Sequence, residues 1–215
     1  MGDAQGCGTQ EGARVSRVRS RQTQRERSDA TVDDLVRAAR ALFAEDGYAA
    51  TSLEAICDRA GVSKGALYHH FSSKRDVFRV VYEREQEHLS EVVRGAAAKE
   101  AERPWEAVFE GCRAFLEASL DPQVQRITQL DAPGALGWEG MRELSGNCLE
   151  LTRLGVARAV ESGAIPARPV DPLTFLLYGA LGESALAIAR AKDQPAALAE
   201  TVAELRTLFD ALARG

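Results

Sequence analysis

Histidine is scarce in this 215-residue chain: there are only three, His69, His70 and His88, all in its first half. Cysteine is nearly as sparse, and Cys7, Cys57, Cys112 and Cys148 stand far apart with no CxxC pair. That spacing excludes a disulfide framework and a Cys/His metal centre, and reads as three buried small hydrophobes and one loose thiol. A glycine-rich phosphate loop and a Ser-His-Asp arrangement in a suitable context are also missing, so no enzyme, cofactor or metal site is expected. No apolar run approaches the ~18–20 residues that span a bilayer. The opening stretch MGDAQGCGTQEGARVSR lacks the apolar core of a secretory signal, so a cytoplasmic protein without a membrane partner is expected. Strand alternation, repeats and a low-complexity core are absent too. What is present is an ordinary composition, 45% hydrophobic and 27% charged, patterned at helical spacing. The chain reads as all-α, with nine or so helices.

The net charge of −5 is unevenly held. Residues 14–80 carry 13 Lys/Arg against 9 Asp/Glu, whereas residues 81–215 carry 14 against 21. A cationic head on an acidic body suits DNA, which attracts the first and repels the second. Six arginines fall between Arg14 and Arg27, with Glu26 the one acid among them. Residues 1–29 are expected to form a disordered basic arm that follows phosphates or enters a minor groove. A solvated tail is the plainer alternative.

The informative stretch runs from Ala50 to Asp76, ATSLEAICDRAGVSKGALYHHFSSKRD. Thr51 or Ser52 can cap a short helix, with Glu54 placed to complete a capping box after Thr51. Leu53, Ile56, Cys57 and Ala60 recur at helical spacing, and Gly61 suits a left-handed C-cap with Val62 packed back across the turn. Ser63 caps a second helix whose inward residues are Leu67 and Phe71. Its outward face holds Lys64, Gly65, Ala66, Tyr68 and His69. This is a helix-turn-helix pattern, and the second helix is the candidate reading head. Lys64 places charge at a helix N-terminus, and Gly65 and Ala66 let the backbone approach base edges. Tyr68, His69 and His70 can donate to phosphates, and Lys74 adds charge at the start of the next helix. A solvated helical hairpin is the bland alternative.

The run LFAEDGYAATSLEAICDRAGVSKGALYHHFSSKRDVF resembles the DNA-binding domain of the tetracycline-repressor (TetR) family of bacterial transcription regulators. The matching residues include Phe43, Gly47–Tyr48, Thr51, Ile56, Ala60–Gly61–Val62–Ser63, Leu67–Tyr68–His69–His70–Phe71 and Lys74. The resemblance implies a three-helix DNA-binding domain at 30–76 followed by a larger effector-binding and dimerisation domain at 77–215. Its candidate DNA contacts are Thr51, Ser52, Ser63, Lys64, Gly65, Ala66, Tyr68, His69, His70 and Lys74. It further implies a homodimer on a palindromic operator in double-stranded DNA, released by a small molecule.

Around this head the first helix is expected from Thr31 to Gly47, with Leu35, Ala39, Leu42 and Phe43 inward and Tyr48 closing the small core. Ser73 caps a long helix to about Ala98, a lever into the body. Beyond it lie helices from Pro104, from Pro122 to about Leu130, from Trp138 to Ser162, from Asp171 to about Asp193 and from Pro195 to about Arg214, with a break expected at Pro133–Gly134. Phe109, Cys112, Phe115, Leu116, Leu130, Leu136, Trp138 and Met141 are candidate linings of a cavity, with Tyr178 and Glu183 as polar handles; for each lining residue taken singly, core is the plainer reading. Such a cavity would suit a small apolar effector. In the last two helices Leu173, Leu177, Leu181, Ile188, Leu205, Leu208, Phe209 and Leu212 form stripes expected at the dimer interface. An effector-free DNA-binding protein is the competing reading, and it predicts a body without a cavity.

Overall fold

The computed structural model describes residues 9–214, with side chains from Arg27 onward. Among these residues there are ten α-helices, one π-helical segment and no strand. Helix α1 spans Thr9–Ala50, so the arginine run expected in a disordered arm has helical backbone from Thr9. Residues 1–8 and the side chains of the arm lie outside the described residues. No proline interrupts Thr9–Ala50, and Arg, Gln, Glu and Ala are all strong helix formers, so Thr31 never has to start a helix. Instead its hydroxyl donates to the Arg27 carbonyl at 2.9 Å, one turn back. Gly47, at φ +83 and ψ 165, kinks the end of α1.

Helices α2 (Leu53–Ala60) and α3 (Lys64–His70) follow with the caps expected of them. Ser52 accepts from the Ala55 N–H at 3.1 Å and Ser63 from the Ala66 N–H at 3.2 Å. Gly61 takes the left-handed conformation, φ +69 and ψ 28, and the Val62 N–H returns to the Cys57 carbonyl. The Thr51–Glu54 capping box does not form. Thr51 is buried, with its hydroxyl on the Gly47 carbonyl at 2.8 Å.

Helix α4 (Lys74–Ala98) opens with Ser73 accepting from the Asp76 N–H, while Asp76 accepts from the Ser72 N–H. It then passes from the head into the body. The body holds α5 (Pro104–Ala118), α6 (Pro122–Val124), the π segment (Gln125–Asp131), α7 (Ala132–Leu144), α8 (Gly146–Glu161), α9 (Val170–Arg190) and α10 (Gln194–Arg214). The break expected at Pro133–Gly134 falls at Gly137, φ +73. Pro133 sits in the first turn of α7, where a missing N–H is tolerated. A second break at Ser145 divides the long helix expected from Trp138 to Ser162.

Two cores result. The head core joins Leu35, Phe43, Ile56, Leu67 and Phe78 to Ile127, Ala132 and Leu136 of the π segment and α7. Its packing therefore crosses the boundary expected at residue 76. Tyr48 closes it as expected, 4.9 Å from the Phe78 ring and 5.9 Å from Phe43. The body core centres on Phe209, stacked on Trp105 at 4.3 Å, with Leu177, Leu181, Ile188 and Leu205 around it.

That second core corrects the expected dimer stripe. Leu173, Leu177, Leu181, Ile188, Leu205 and Phe209 are buried within the protomer, and Leu212 packs against the same core. Of the expected set only Leu208 is exposed, at 45%. On α9 the free apolar surface lies one step round the helix: Phe175 is 51% and Leu176 71% exposed, beside Gly179, Ala180 and Ala187. Helix α9 is apolar on both faces, so periodicity alone could not assign the inward one. By length and composition it could also cross a membrane, contrary to the expectation that no such run exists; it carries Glu183 near its middle, and its inward face belongs to the body core.

Candidate nucleic-acid interface and body cavity

Helix α3 is held by one side only. Leu67 and Phe71 are buried in the head core, whereas Ser63, Lys64, Gly65, Tyr68 and His69 are exposed and Ala66 and His70 half-buried. Tyr68 leaves 59% of its surface in water. A large aromatic carrying a hydroxyl, set beside a glycine and a lysine, can reach sugar, phosphate and base edge alike. Ser52 stands exposed at the start of α2. A cleft of about 470 Å³ lies between the starts of α2, α3 and α4, lined by Ser52, Lys64, Tyr68 and Lys74 among others.

Three of the expected contacts have other partners. The Lys74 ammonium donates to the carbonyls of Tyr48 (2.6 Å), Ala49 (3.2 Å) and Thr51 (2.8 Å), and lies 4.5 Å from the Tyr48 ring centroid. The end of α1 leaves carbonyls without helical partners, and Lys74 satisfies them, acting as a clamp inside the head. Thr51, buried with its hydroxyl turned inward, is part of the same turn. Lys64 is paired with Glu54 at 2.5 Å, both side chains being largely exposed. That bond holds the Glu54 carboxyl below its ordinary range and the Lys64 ammonium above it. An exposed pair of this kind adds little stability, so Lys64 can exchange Glu54 for a phosphate.

The body contains a cavity of about 880 Å³ between α4, α5, the π segment, α7, α8 and α9. Of the expected lining, Cys112, Phe115, Trp138, Met141, Tyr178 and Glu183 are on its wall. Phe109 and Leu116 are not: they are buried in the body core, with Phe109 5.5 Å from the Phe209 ring and its ring centroid only 3.3 Å from the Arg206 guanidinium. Leu130 and Leu136 are off the wall as well, Leu136 belonging to the head core. One broad apolar stripe of α5, opposite Glu106, Glu110, Arg113 and Glu117, serves core and cavity together, and Val108 and Cys112 belong to both. Much of the wall is alanine and glycine, including Ala97, Ala98, Gly111, Gly155, Gly179 and Gly182. Trp138 stands at the margin, 72% exposed. Burial pushes the Cys112 thiol up to about 12 and raises the Cys148 thiol too, so neither wall cysteine is poised as a nucleophile.

Cavity and head share one short stretch of chain. Thr128, Gln129 and Pro133 line the cavity, whereas Ile127 and Ala132 are buried in the head core. Asp131 accepts from the Tyr48 N–H at 2.7 Å and from Arg126 Nε at 3.2 Å. Further ties bind α4 to α7 and to Ser145 beyond it: Arg75 donates to the Leu136 carbonyl at 2.9 Å, and the Tyr82 and Ser145 hydroxyls meet at 3.0 Å. Burial pushes the Tyr82 phenol up to about 12 against that hydrogen bond. The π geometry of Gln125–Asp131, a form that recurs at functional sites, carried no recognisable signal in the sequence.

Known proteins share both halves of this arrangement. Residues 35–81 match the model of bacterial regulatory proteins of the tetR family, and residues 105–212 that of the tetracyclin repressor-like C-terminal domain. The chain belongs to the TetR family. A TetR-family transcriptional regulator from Pectobacterium atrosepticum is 34% identical, with 87% of this chain and 96% of that one covered at a TM-score of 0.76. The transposon Tn10 TetC protein of Escherichia coli is 26% identical over 157 residues, 73% of this chain and 79% of the relative. The transcriptional activator FasR of Mycolicibacterium smegmatis is 45% identical over 62 residues, 29% of this chain and 28% of its own. As a TetR-family protein the chain is a DNA-binding transcription regulator, and its helix-turn-helix is α2–α3.

Proposed function

We propose that this TetR-family regulator binds a palindromic operator as a homodimer and acts as a repressor released by a small, mostly apolar molecule in the body cavity. It works in the cytoplasm, where the operator is. The observation that carries the reading is α3, anchored by Leu67 and Phe71 with Lys64, Gly65, Tyr68 and His69 exposed on its other side. Lys64, Gly65, Tyr68 and His69 are the contacts proposed for the major groove, with Ser52, Ser63, Ala66 and His70 alongside. Lys74 and Thr51 hold the head's geometry.

Dimerisation is supported by the exposed strip of Phe175 and Leu176 on α9 and Leu208 on α10, which water disfavours and a second copy would cover. Effector control is supported by the cavity, which the effector-free reading does not require. The Thr128–Pro133 stretch gives a bound molecule a direct mechanical route to Tyr48 at the end of α1.

Selection of bound fragments from random DNA by the purified protein tests the proposal. The expected product is an inverted repeat with half-site centres about one DNA turn, ~34 Å, apart, occupied by two protomers. Asymmetric fragments bound by one protomer would overturn it.

A further inference from the structure

We infer that the cavity takes an amphipathic anion, with its chain along the apolar wall and its acidic head between Arg94 of α4 and Arg158 of α8. This rests on the cavity being the effector site, and adds the chemical class of the effector. The body beyond residue 80 is acidic, and ten of the arginines from Arg27 onward are ion-paired with carboxylates. Yet the three arginines on the cavity wall, Arg94, Arg142 and Arg158, have no carboxylate within 4.0 Å among the described residues. Arg158 donates only to the Ala101 carbonyl at 2.8 Å, which leaves most of its N–H groups open, and Arg94 makes no side-chain hydrogen bond there.

Position separates the three. The one carboxylate of the wall, Glu183, is on α9. That helix also carries Tyr178, whose phenol lies in the field of Arg142, and Arg142 is spread over the Phe175 ring at 5.6 Å. Helices α4 and α8 contribute no acid to the wall. Just after Arg94 and just before Arg158 along the chain the wall is Ala97, Ala98, Ala101, Leu151, Thr152, Leu154 and Gly155. The Thr152 hydroxyl already donates to the Cys148 carbonyl at 3.0 Å, so two cations border a mostly apolar trough. Both arginines are exposed, so water solvates them without a ligand. A neutral apolar molecule would gain nothing from them, whereas a carboxylate or phosphate on an alkyl chain would engage them and the trough together.

The test measures binding to the DNA-free protein of dodecanoate, dodecyl phosphate and 1-dodecanol, which share a chain and differ in the head. Both anions should bind at least about tenfold more tightly than the alcohol, the gain expected of a charge-assisted contact at a partly exposed rim. Arg94→Gln with Arg158→Gln should abolish that preference and leave alcohol binding unchanged, while Arg142→Gln should preserve it. The ratio of the two anions identifies the head as carboxylate or phosphate. Acetate and inorganic phosphate should not compete, because the chain is needed. Equal binding of alcohol and anions, a preference that survives the double substitution, or no binding of any of the three would overturn the inference. Operator release is scored separately. An anion that binds without releasing DNA refutes effector control and leaves the inference standing, whereas release by the alcohol alone does the reverse.

Discussion

Substituting Gly47 by alanine should destabilise the protein far more than the same change at Gly61, although both glycines have positive φ. At Gly47, φ +83 with ψ 165 lies in a region that L residues hardly enter, at a cost on the order of 1–3 kcal/mol. The new Cβ would also run into the Arg126 guanidinium, 2.7 Å from its Cζ. Arg126 must then leave Asp131, its partner at 3.2 Å. With Arg126 42% and Asp131 16% exposed, losing that pair adds roughly 0.5–1 kcal/mol. The total is about 1.5–4 kcal/mol, or a fall in Tm of about 3–16 °C for a chain of this size. Gly61 is at φ +69 and ψ 28, with nothing within 4 Å of an added Cβ, so alanine there should cost only about 1 kcal/mol. Thermal unfolding at one fixed protomer concentration gives the comparison, since assembly shifts Tm by mass action. Repeating Gly47→Ala in an Arg126→Ala background should recover the part due to the clash and the lost pair, about 1 kcal/mol or less. A Gly61→Ala variant at least as unstable as Gly47→Ala would refute the argument.

Lys64→Ala and Tyr68→Ala should each weaken operator binding by roughly 1–3 kcal/mol at unchanged Tm, while Lys74→Ala should lower Tm because three carbonyls lose their donor; anisotropy titrations and melting curves separate the two outcomes. Leu176→Arg with Leu208→Arg should give a folded monomer by sedimentation, whereas Leu177→Arg should unfold the body core, since Leu177 is buried. Deleting residues 1–27 should flatten the salt dependence of DNA binding, because fewer counter-ions are released; identical slopes would make the arm idle. Burial raises the thiols of Cys57, Cys112 and Cys148, so less thiolate is present at pH 8, and peptide mapping after iodoacetamide should find all three alkylated more slowly than free cysteine.

The head was legible because its information is local. Ser52, Gly61, Ser63 and Ser73 each act within a few residues, and the Leu67/Phe71 spacing decides which face of α3 is free. The role of Lys74 inside the head was not legible, because its partners lie 23 to 26 residues away, across the end of α1. The faces of α5 and α9 were misread for a different reason. Helix α9 is apolar nearly all round, so Leu177 and Leu176 are equivalent until neighbouring helices choose between them. On α5 a single apolar stripe, opposite Glu106, Glu110, Arg113 and Glu117, meets both core and cavity, so spacing cannot separate Phe109 from Cys112. The start of α1 was placed too late because Thr31 offers a cap that a continuing helix does not use.

The alanine and glycine wall of the cavity bears on how such a protein diversifies. Gly179 and Gly182 have open space where a Cβ would go, whereas a Cβ at Gly111 would come 3.2 Å from Val93 and one at Gly155 2.8 Å from Val108. The α4–α5 and α5–α8 seams are therefore closed to change by their own packing, and α9 is open to it. Replacing a mid-helix glycine by alanine even favours the helix, by up to about 1 kcal/mol. Single mutations on α9 can thus narrow the ligand space without an initial loss of fold. A lineage of this regulator can drift in what it senses while what it reads on DNA, set by α3, stays the same.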